Sequence, residues 1–351
     1  MTIKEELLEF KNHIDAELAN RISTLTETMS AISTSDISSE IAALLATTIA
    51  GGKRIRPFLV KQSFILYGGD PEDTAALQAA VATELLHIFC LIHDDVMDRS
   101  VVRHNQPTIH AALSANRYKM SPEAEHLGNS QAILAGDILL NLVYREFFKA
   151  TTDRQNHAAL LEHFSRTVEE VCIGQLIDVD LLSRDSYEES DLEEKNTLKT
   201  AYYSIIRPLQ LGALLANHTE SFELLERIGL EIGIAYQLQD DLLDVTSDTE
   251  LSGKQRYSDV YSGQPTMLLS YLKSNYPEIH SEVLQYRQTN HSNEVESILN
   301  ELFEKTGAIS YAQKEIHKRI KNATNIVNEF PGVQEQAFFK EFIGLLAERE
   351  R

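Results

Sequence analysis

The sequence predicts an all-α protein, a single large bundle of long helices. Apolar residues recur at three- and four-residue spacing over long stretches, and the 8 prolines fall mostly at the breaks between these stretches. No run of alternating apolar and polar residues is bounded by hairpin turns, so no sheet is expected. With 351 residues, 43% of them hydrophobic and 24% charged, the chain can bury a large core without disulfides or structural metals.

Helix starts follow from capping residues. Asp70-Pro71-Glu72-Asp73 and Ser121-Pro122-Glu123 each offer a capping side chain, a proline at the first helical position and acids in the first turn. We therefore expect a helix to begin at each segment. Pro208 is expected to kink a helix, because proline lacks the backbone N–H. Long amphipathic or wholly apolar helices are predicted over residues 71 to 98, 130 to 152, 154 to 183, 196 to 217 and 221 to 245.

The predicted domain organisation is simple. Polar segments that interrupt the helical pattern are expected to be surface loops, over residues 99 to 107, 184 to 195 and 246 to 266. The helical pattern resumes directly after each of them, so none is predicted to be an interdomain linker. We expect an N-terminal helical arm over residues 1 to 40 and one all-α domain over residues 41 to 351.

Charge and cysteine content exclude several classes of function. The 53 acidic and 32 basic residues give a net charge of -21, which argues against nucleic-acid binding. Cys90 and Cys172 lie in apolar stretches without metal-ligand spacing, so two buried thiols in a reducing compartment are expected. The chain starts without a basic-then-apolar leader, and no stretch reaches the roughly 18 uncharged apolar residues of a membrane span. We therefore expect a cytoplasmic protein without a membrane anchor.

Two aspartate triads are the most informative feature. The first triad is Asp94, Asp95 and Asp98, and the second triad is Asp240, Asp241 and Asp244. Each ends an apolar helix and directs three carboxylates to one region of space, because the first and fifth residues share a helix face. A solvent-exposed helix end would tolerate one such cluster, but two copies favour neutralisation by divalent cations. Carboxylates without nearby His or Cys ligands favour Mg²⁺ over Ca²⁺.

Basic residues near the triads indicate a phosphate ligand. The segment from Gly51 to Pro57, Gly-Gly-Lys-Arg-Ile-Arg-Pro, places three cations beside glycines. Arg103 follows the first triad, and Lys254 follows the second. Each base alone is compatible with an ordinary surface cation. Together, in so acidic a chain, they favour a diphosphate bound by Arg, Lys and metal ions.

These motifs resemble those of the trans-isoprenyl diphosphate synthases, the head-to-tail polyprenyl synthetases that include farnesyl and geranylgeranyl diphosphate synthase. The resemblance implies the isoprenoid synthase fold, in which long helices surround a central cavity and the two triads face each other across its mouth. It also implies a homodimer. The motifs follow the family's order over residues 45 to 270: Gly51 to Pro57, Glu84 to His87, the first triad, Arg103 with Gln106 to Thr108, Gly174-Gln175 with Asp178, Leu198 to Ala201, Tyr236 to Gln239, the second triad and Gly253-Lys254.

The resemblance also implies a reaction and its residues. The substrates would be isopentenyl diphosphate and an allylic prenyl diphosphate, joined by ionisation, condensation and proton elimination. The residues expected to hold about three Mg²⁺ ions are Asp94, Asp98, Asp240 and Asp244, with Asp95 and Asp241 in support. The cations expected on the allylic diphosphate are Arg103, Lys199 and Lys254. The Thr200 hydroxyl and the Gln237 amide oxygen would stabilise the allylic cation, and isopentenyl diphosphate would contact Lys53, Arg56, His87 and His104.

The sequence departs from the family pattern at four positions. His104 and Asn105 stand where the family usually has Arg and Gly, Tyr257 replaces a Gly, and Gln264 replaces a Lys. With the ordinary histidine pKa of about 6.5, His104 would lose its charge between about pH 6 and 8. Isopentenyl diphosphate binding is expected to weaken over that range. The absence of a lysine at 264 would remove one cation from the allylic diphosphate.

Product length and two rival functions remain open. Phe89 and Cys90 precede the first triad by about one and a half turns, and a Phe there resembles the short-chain branch of the family. We expect products of about 15 to 20 carbons, the 20-carbon geranylgeranyl diphosphate being favoured, because a ring would close the cavity floor. A longer-chain synthase is the alternative. A terpene cyclase would normally carry a different second metal motif, and a regulatory subunit without turnover would not need two intact triads.

Overall fold

The computed structural model describes residues 2–184, 187–246, 256–287, 289 and 292–347. Their secondary structure is almost entirely helical, which confirms the predicted all-α class. The elements in chain order are α1 (Ile3–Ile32), α2 (Asp36–Thr48), α3 (Ile55–Leu66), α4 (Thr74–Met97), β1 (Val102–Arg103), β2 (Gln106–Pro107), α5 (Ile109–Ala115), α6 (Ala124–Thr151), α7 (His157–Ser183), α8 (Glu189–Asn196), a π-helix (Thr197–Ile206), α9 (Arg207–Leu215), α10 (Phe222–Thr246), α11 (Ser258–Ser262), α12 (Met267–Asn275), α13 (Pro277–Leu284), α14 (Asn293–Thr306), α15 (Ala308–Val327) and α16 (Val333–Ala347).

Two helices begin later than their capping sequences predict. Asp73 rather than Asp70 caps α4, since its carboxylate accepts the Ala75 N–H at 2.8 Å. In the segment before α6, the Ser121 hydroxyl accepts the Glu123 N–H at 3.1 Å. Asp70 and Ser121 therefore stabilise turns ahead of the helices. Both residue types bond readily to backbone groups two positions along, which makes such turns and true helix caps hard to distinguish.

A short hairpin corrects the expectation that the chain contains no sheet. Strands β1 and β2 pair antiparallel, with Arg103 opposite Gln106. The connecting residues His104 and Asn105 both have positive φ, 50° and 60°, as a type I′ turn requires. Strands of two residues are too short to show alternation, so the segment expected to be a loop gave no strand signal.

The other two predicted loops also contain helix. In the acid-rich segment 184 to 195, α8 begins after Glu188, whose N–H donates to the Asp191 carboxylate at 2.8 Å in a capping box. In the segment 246 to 266, α11 occupies Ser258–Ser262, and residues 247–255 lie outside the described part of the chain.

The chain divides into two compact units, of which the first comprises Met1–Leu161 and Leu211–His218. Its central helix is α4, which packs against α3 and α6. Helix α1 belongs to this unit, since Ile14 and Leu18 are fully buried and Arg21 contacts Glu146 of α6 at 2.7 Å. The expected boundary between residues 40 and 41 falls inside α2.

Helix α4 meets α6 closely just before the first triad. A Cβ on Gly136 of α6 would lie 2.3 Å from Nε2 of His93, so glycine is required for this approach. The same nitrogen lies 3.1 Å from the Ile133 carbonyl oxygen. Helix α4 is also the one helix of the described residues that is long and apolar enough to cross a membrane, but most of it is buried within the protein, as in an ordinary core helix.

The second unit comprises Glu162–Gln210 and Thr219–Arg351. Its central helix is α10, which packs against the π-helix and α15. A Cβ on Gly233 of α10 would lie 2.4 Å from the Ala201 Cα, so the two backbones are in direct contact. The predicted helix over residues 196 to 217 is divided, because the π-helix changes to α9 at Arg207, directly before Pro208.

Candidate active site

The first triad lies at the C-terminal end of α4. Asp95 is buried, and its carboxylate accepts a hydrogen bond from Nε of Arg103 at 2.7 Å. The other end of the same guanidinium lies 3.6 Å from Asp94, which is partly exposed, as is Asp98. Burial raises the pKa of Asp95 to about 6, although Arg103 opposes the shift. One arginine of the hairpin therefore holds the first two carboxylates of the triad.

The hairpin explains how the chain accommodates His104 and Asn105. Asn tolerates the left-handed conformation that the turn requires, so it can replace a glycine at 105. The His104 ring packs on the glycine-rich segment, where a Cβ on Gly51 would lie 3.0 Å from the ring. Gly51 has a φ of 87°, so its backbone also favours glycine. The turn residue predicted to contact substrate thus adjoins the predicted phosphate-binding segment.

Arg54 anchors the segment Gly51 to Pro57. It is 4% exposed, and it bonds to Asp15 of α1 at 2.7 Å, to Glu84 of α4 at 2.6 Å and to the Ile49 carbonyl. Our sequence interpretation grouped Arg54 with the ligand-binding cations and missed this role, because its partners lie far away along the chain. Arg54 holds the segment in place, while the exposed Lys53 and the partly exposed Arg56 flank it.

His87 is surrounded by positive charge. Burial, followed by the charges of Arg56, Arg103, Arg54 and His104, keeps its pKa well below the ordinary value. The structure therefore places Arg56 and His104, expected at the isopentenyl diphosphate site, near His87, together with Arg103, expected on the allylic diphosphate. His87 is neutral near pH 7 and can act as a neutral hydrogen-bond donor.

The pKa of His104 corrects the expected pH window. Burial and the neighbouring Arg103 lower this pKa below 6.5. The loss of its positive charge is therefore shifted to lower pH than the ordinary histidine value implies. The ordinary histidine value could not reveal this, because the shift comes from residues that only the fold brings near.

A cleft beside the first triad joins apolar and basic surfaces. Its walls come from the C-terminal end of α2, the middle of α4 and the hairpin. Ile88, Leu91 and Ile92 form the apolar side, and Arg103 and His104 form the basic side. The cleft therefore brings apolar and basic side chains together beside the first triad.

The second triad lies at the C-terminal end of α10 in the second unit. Asp241 is buried and accepts a hydrogen bond from Nε2 of Gln237 at 2.8 Å. Burial raises the pKa of Asp241 to about 6, while Lys195 opposes the shift. The Thr200 hydroxyl donates to Oε1 of Gln237 at 2.7 Å. The two side chains expected to stabilise an allylic cation are therefore adjacent, and a triad carboxylate fixes the orientation of the amide.

Asp244 is more deeply buried than Asp98, its counterpart in the first triad. It is buried, and its carboxylate accepts the Ser258 hydroxyl at 2.5 Å and the Asp259 N–H at 3.1 Å. These bonds fix the start of α11. The Tyr257 N–H also donates to the Asp244 carbonyl at 2.8 Å. Asp244 thus holds in place the segment that follows the undescribed residues 247–255.

Asp178 gathers two lysines near the second triad. Its carboxylate lies 2.5 Å from the ammonium of Lys199 and 3.3 Å from that of Lys195. Lys199 reaches this position because a Cβ on Gly174 would lie 2.6 Å from the Lys199 nitrogen, so the backbones of α7 and the π-helix are in contact. Sequence reasoning identified Lys199 and missed Lys195. The predicted diphosphate ligand Lys254 lies outside the described residues.

The triads fit Mg²⁺ better than a metal held by protein alone. Among the described residues, no group of three or more His, Cys, Asp or Glu side chains converges to hold a metal ion. Each triad nevertheless offers hard carboxylate oxygens at a helix end. Mg²⁺ typically takes one or two carboxylates and completes its coordination with water and substrate phosphate oxygens.

Comparison with known proteins identifies the family. The sequence model described as Polyprenyl synthetase matches residues 38–302. This chain belongs to the polyprenyl synthetase family. The resemblance that the motifs predicted is thereby confirmed, and with it the classification of the chain as a prenyltransferase.

Relatives of this polyprenyl synthetase include short-chain enzymes. It is 31% identical to a short chain isoprenyl diphosphate synthase of Methanothermobacter thermautotrophicus, over 85% of this chain and 86% of the relative. It is 34% identical to a geranylgeranyl diphosphate synthase of Methanosarcina mazei, where the match spans 63% of each chain, less than two thirds of the relative's length. Its fold matches the geranylgeranyl pyrophosphate synthase of Corynebacterium glutamicum, solved with isoprenyl diphosphate and magnesium, with a TM-score of 0.86, 27% identity and coverage of 96% and 98% of the two chains.

Replacing Arg54 tests its role as an anchor. In Arg54→Met the buried Glu84 loses its cation, and the free energy of unfolding should fall by about 3 to 5 kcal/mol in urea titrations. Adding Glu84→Gln should recover part of this loss. Arg117→Met removes a solvent-accessible pair with Glu40 and should cost much less than Arg54→Met. Equal losses in both arginine variants would contradict the anchoring role.

Replacing Asp241 tests the cost of its buried charge. The carboxyl has a pKa of about 6 in the folded protein, above its ordinary value of 3.8, so its ionisation destabilises the fold as pH rises from about 4 to about 6 and by a constant amount above. With EDTA present to keep the protein free of metal, the free energy of unfolding of Asp241→Asn should exceed that of the wild type by about 1 to 3 kcal/mol at pH 8. The difference should be smaller at pH 5. The exposed Asp153→Asn is the control. A gain that does not change with pH would refute the shift.

Proposed function

We propose that this polyprenyl synthetase condenses isopentenyl diphosphate head to tail with an allylic diphosphate and forms a short-chain prenyl diphosphate. The observation that carries the proposal is the matched construction of the two triads. In each, the second aspartate is buried and hydrogen-bonded, by Arg103 in one and by Gln237 in the other, while the first aspartate is partly exposed at the helix end. The magnesium and isoprenyl diphosphate bound by the Corynebacterium glutamicum relative support the same assignment.

In this proposal both triads serve the binding of the metal ions and the diphosphate. Asp94, Asp98 and Asp240 would hold Mg²⁺, which supplies Lewis-acid stabilisation of the leaving diphosphate when bound. Asp95 and Asp241 orient the triads through their hydrogen bonds. Asp244, also expected to be a ligand, holds Ser258 and Asp259 through its carboxylate.

The allylic substrate would ionise beside the second triad. Arg103, Lys199 and Lys254 stabilise the negative charge that develops on the departing diphosphate. The allylic cation left behind needs nearby dipoles that do not attack it. The Thr200 hydroxyl and the Gln237 amide meet this need, because each is fixed by the hydrogen bond between them.

Isopentenyl diphosphate would bind in the first unit, with its head group on Lys53, Arg56, His87 and His104. Arg54 holds this segment in place but does not contact the substrate. The neighbouring cleft offers Ile88, Leu91 and Ile92 to the hydrocarbon part. The double bond of isopentenyl diphosphate then attacks the allylic cation. The condensed product loses a proton to the released diphosphate.

Product length in this proposal is limited near Phe89. Its side chain is 7% exposed, and its ring centroid lies 4.6 Å from that of His93, one residue before the first triad. A rigid ring there, beside Cys90, favours products of about 15 to 20 carbons, geranylgeranyl diphosphate above all. The geranylgeranyl diphosphate synthases among the relatives agree with this length.

The proposed assembly is a cytoplasmic homodimer. Helix α6 carries a row of exposed apolar residues, Leu134, Tyr144 and Phe148, at spacings that place them on one helix face. An exposed apolar face of this kind marks a protein interface in many proteins. Dimerisation of two copies through α6 would cover it.

Incubation of the purified protein with isopentenyl diphosphate and each allylic diphosphate, with and without Mg²⁺, tests the function. Elongation should require both substrates and Mg²⁺. Asp94→Asn, which alters a proposed metal ligand, should lower kcat about 10²- to 10³-fold. A hydrocarbon product from the allylic diphosphate alone would identify a terpene cyclase, and the absence of turnover with every substrate would identify a regulatory subunit.

Replacing Phe89 tests the product-length proposal. Phe89→Ala removes the ring and should lengthen the product by one or more isoprene units, since growth into the cavity is limited by the side chain at its floor. Chromatography of the dephosphorylated products measures the change. Phe10→Ala in α1 is the matched control and should leave the length unchanged. An unchanged product from Phe89→Ala would place the floor elsewhere.

A further inference from the structure

Lys195 is a buried lysine beside the second triad to which the motifs assign no role. It lies in α8, is 9% exposed, and its ammonium donates to the Pro265 carbonyl oxygen at 3.0 Å. Asp178 lies 3.3 Å from the same ammonium. Burial of an ammonium costs several kcal/mol unless good partners compensate. A lysine retained at such a place therefore calls for an explanation beyond packing.

The charges around Asp178 do not balance within the group. Its single carboxylate serves two ammonium groups, with Lys199 at 2.5 Å and Lys195 at 3.3 Å. This group of three side chains carries one net positive charge. Both lysines act on Asp178 from elements of the second unit, α8 and the π-helix. One carboxylate therefore does not neutralise both ammonium groups.

Two observations place Lys195 near the second triad. It shares Asp178 with Lys199, and the hydroxyl of the next residue, Thr200, donates to Gln237, which is bonded to Asp241. Lys195 also donates a hydrogen bond to the carbonyl oxygen of Pro265. Pro265 follows Gln264, and the family usually has a lysine at the position of Gln264. Lys195 thus brings an ammonium group to the segment in which Gln264 replaces the family's lysine.

We propose that Lys195 supplies the cation absent from position 264 and binds, together with Lys199, the diphosphate of the allylic substrate. Among the described residues, the Pro265 carbonyl takes one of the three ammonium N–H groups and Asp178 forms an ion pair with the ammonium, and another N–H would donate to a diphosphate oxygen. This inference rests on the proposed prenyltransferase function, because it assigns a further residue to the same site.

Binding of inorganic diphosphate measures this role directly. Isothermal calorimetry with Mg²⁺ present would compare the wild type, Lys195→Met and the double variant Lys195→Met/Gln264→Lys. Loss of one charge-assisted hydrogen bond should weaken diphosphate binding about tenfold to a hundredfold in Lys195→Met. The lysine introduced at 264 should restore most of it. Lys61→Met removes a lysine of α3 that also donates to a proline carbonyl, and it should not change binding.

Kinetics separate this role from a structural one. In Lys195→Met, KM for the allylic diphosphate should rise and KM for isopentenyl diphosphate should not change. In the double variant, KM for the allylic diphosphate should return towards the wild-type value. Unchanged diphosphate binding in Lys195→Met would overturn the proposal. The proposal would also be overturned if Lys195→Met lowered both thermal stability and diphosphate binding and Gln264→Lys did not restore the binding. Turnover by the wild type tests the proposed function separately, so failure of the Lys195 assignment leaves that function standing.

Discussion

Repulsion between neighbouring carboxylates is the constraint on which both triads depend. Each triad places three acidic side chains within about one turn at a helix C-terminus, where the helix dipole adds partial negative charge. The structure relieves this repulsion in the same way twice. Asp95 is bonded to Arg103, and Asp241 is bonded to Gln237. The second carboxylate of each triad is thereby fixed inside the protein, and the first is presented at the helix end, where a divalent cation can neutralise the remaining charge.

Glycines determine which polar side chains reach the triads. At Gly174 the backbone of α7 approaches the π-helix so closely that a Cβ would lie 2.6 Å from the Lys199 nitrogen, and this contact brings Lys199 to Asp178. At Gly51 the missing side chain makes room for the ring of His104. The family motifs that contain these glycines therefore have a packing explanation. They permit the approach of polar side chains that would otherwise be held away by a methyl group.

Periodicity and motif spacing were sufficient to predict the helical class, the long helices α4 and α10, and the residues of both triads. Non-local contacts were not predictable. Arg54 pairs with Glu84, and Lys195 with Asp178, across separations along the chain that no spacing pattern encodes. The hairpin at His104 was missed because strands of two residues carry no alternation. The π-helix differs from an α-helix only in its hydrogen-bond register, which the apolar spacing does not specify.

The departures from the family pattern are accommodated in ways that argue for an active enzyme. Tyr257 adopts a φ of 58°, a conformation that costs a bulky residue about 1 to 3 kcal/mol. Its buried ring and the hydrogen bond from its hydroxyl to Asn300 offset that cost. The burial of Asp95 and Asp241, by contrast, destabilises the metal-free protein, since it raises the pKa of both carboxyls. A subunit that bound neither metal nor diphosphate would have nothing to offset this second cost, whereas an enzyme recovers it whenever cation and substrate bind beside the triads.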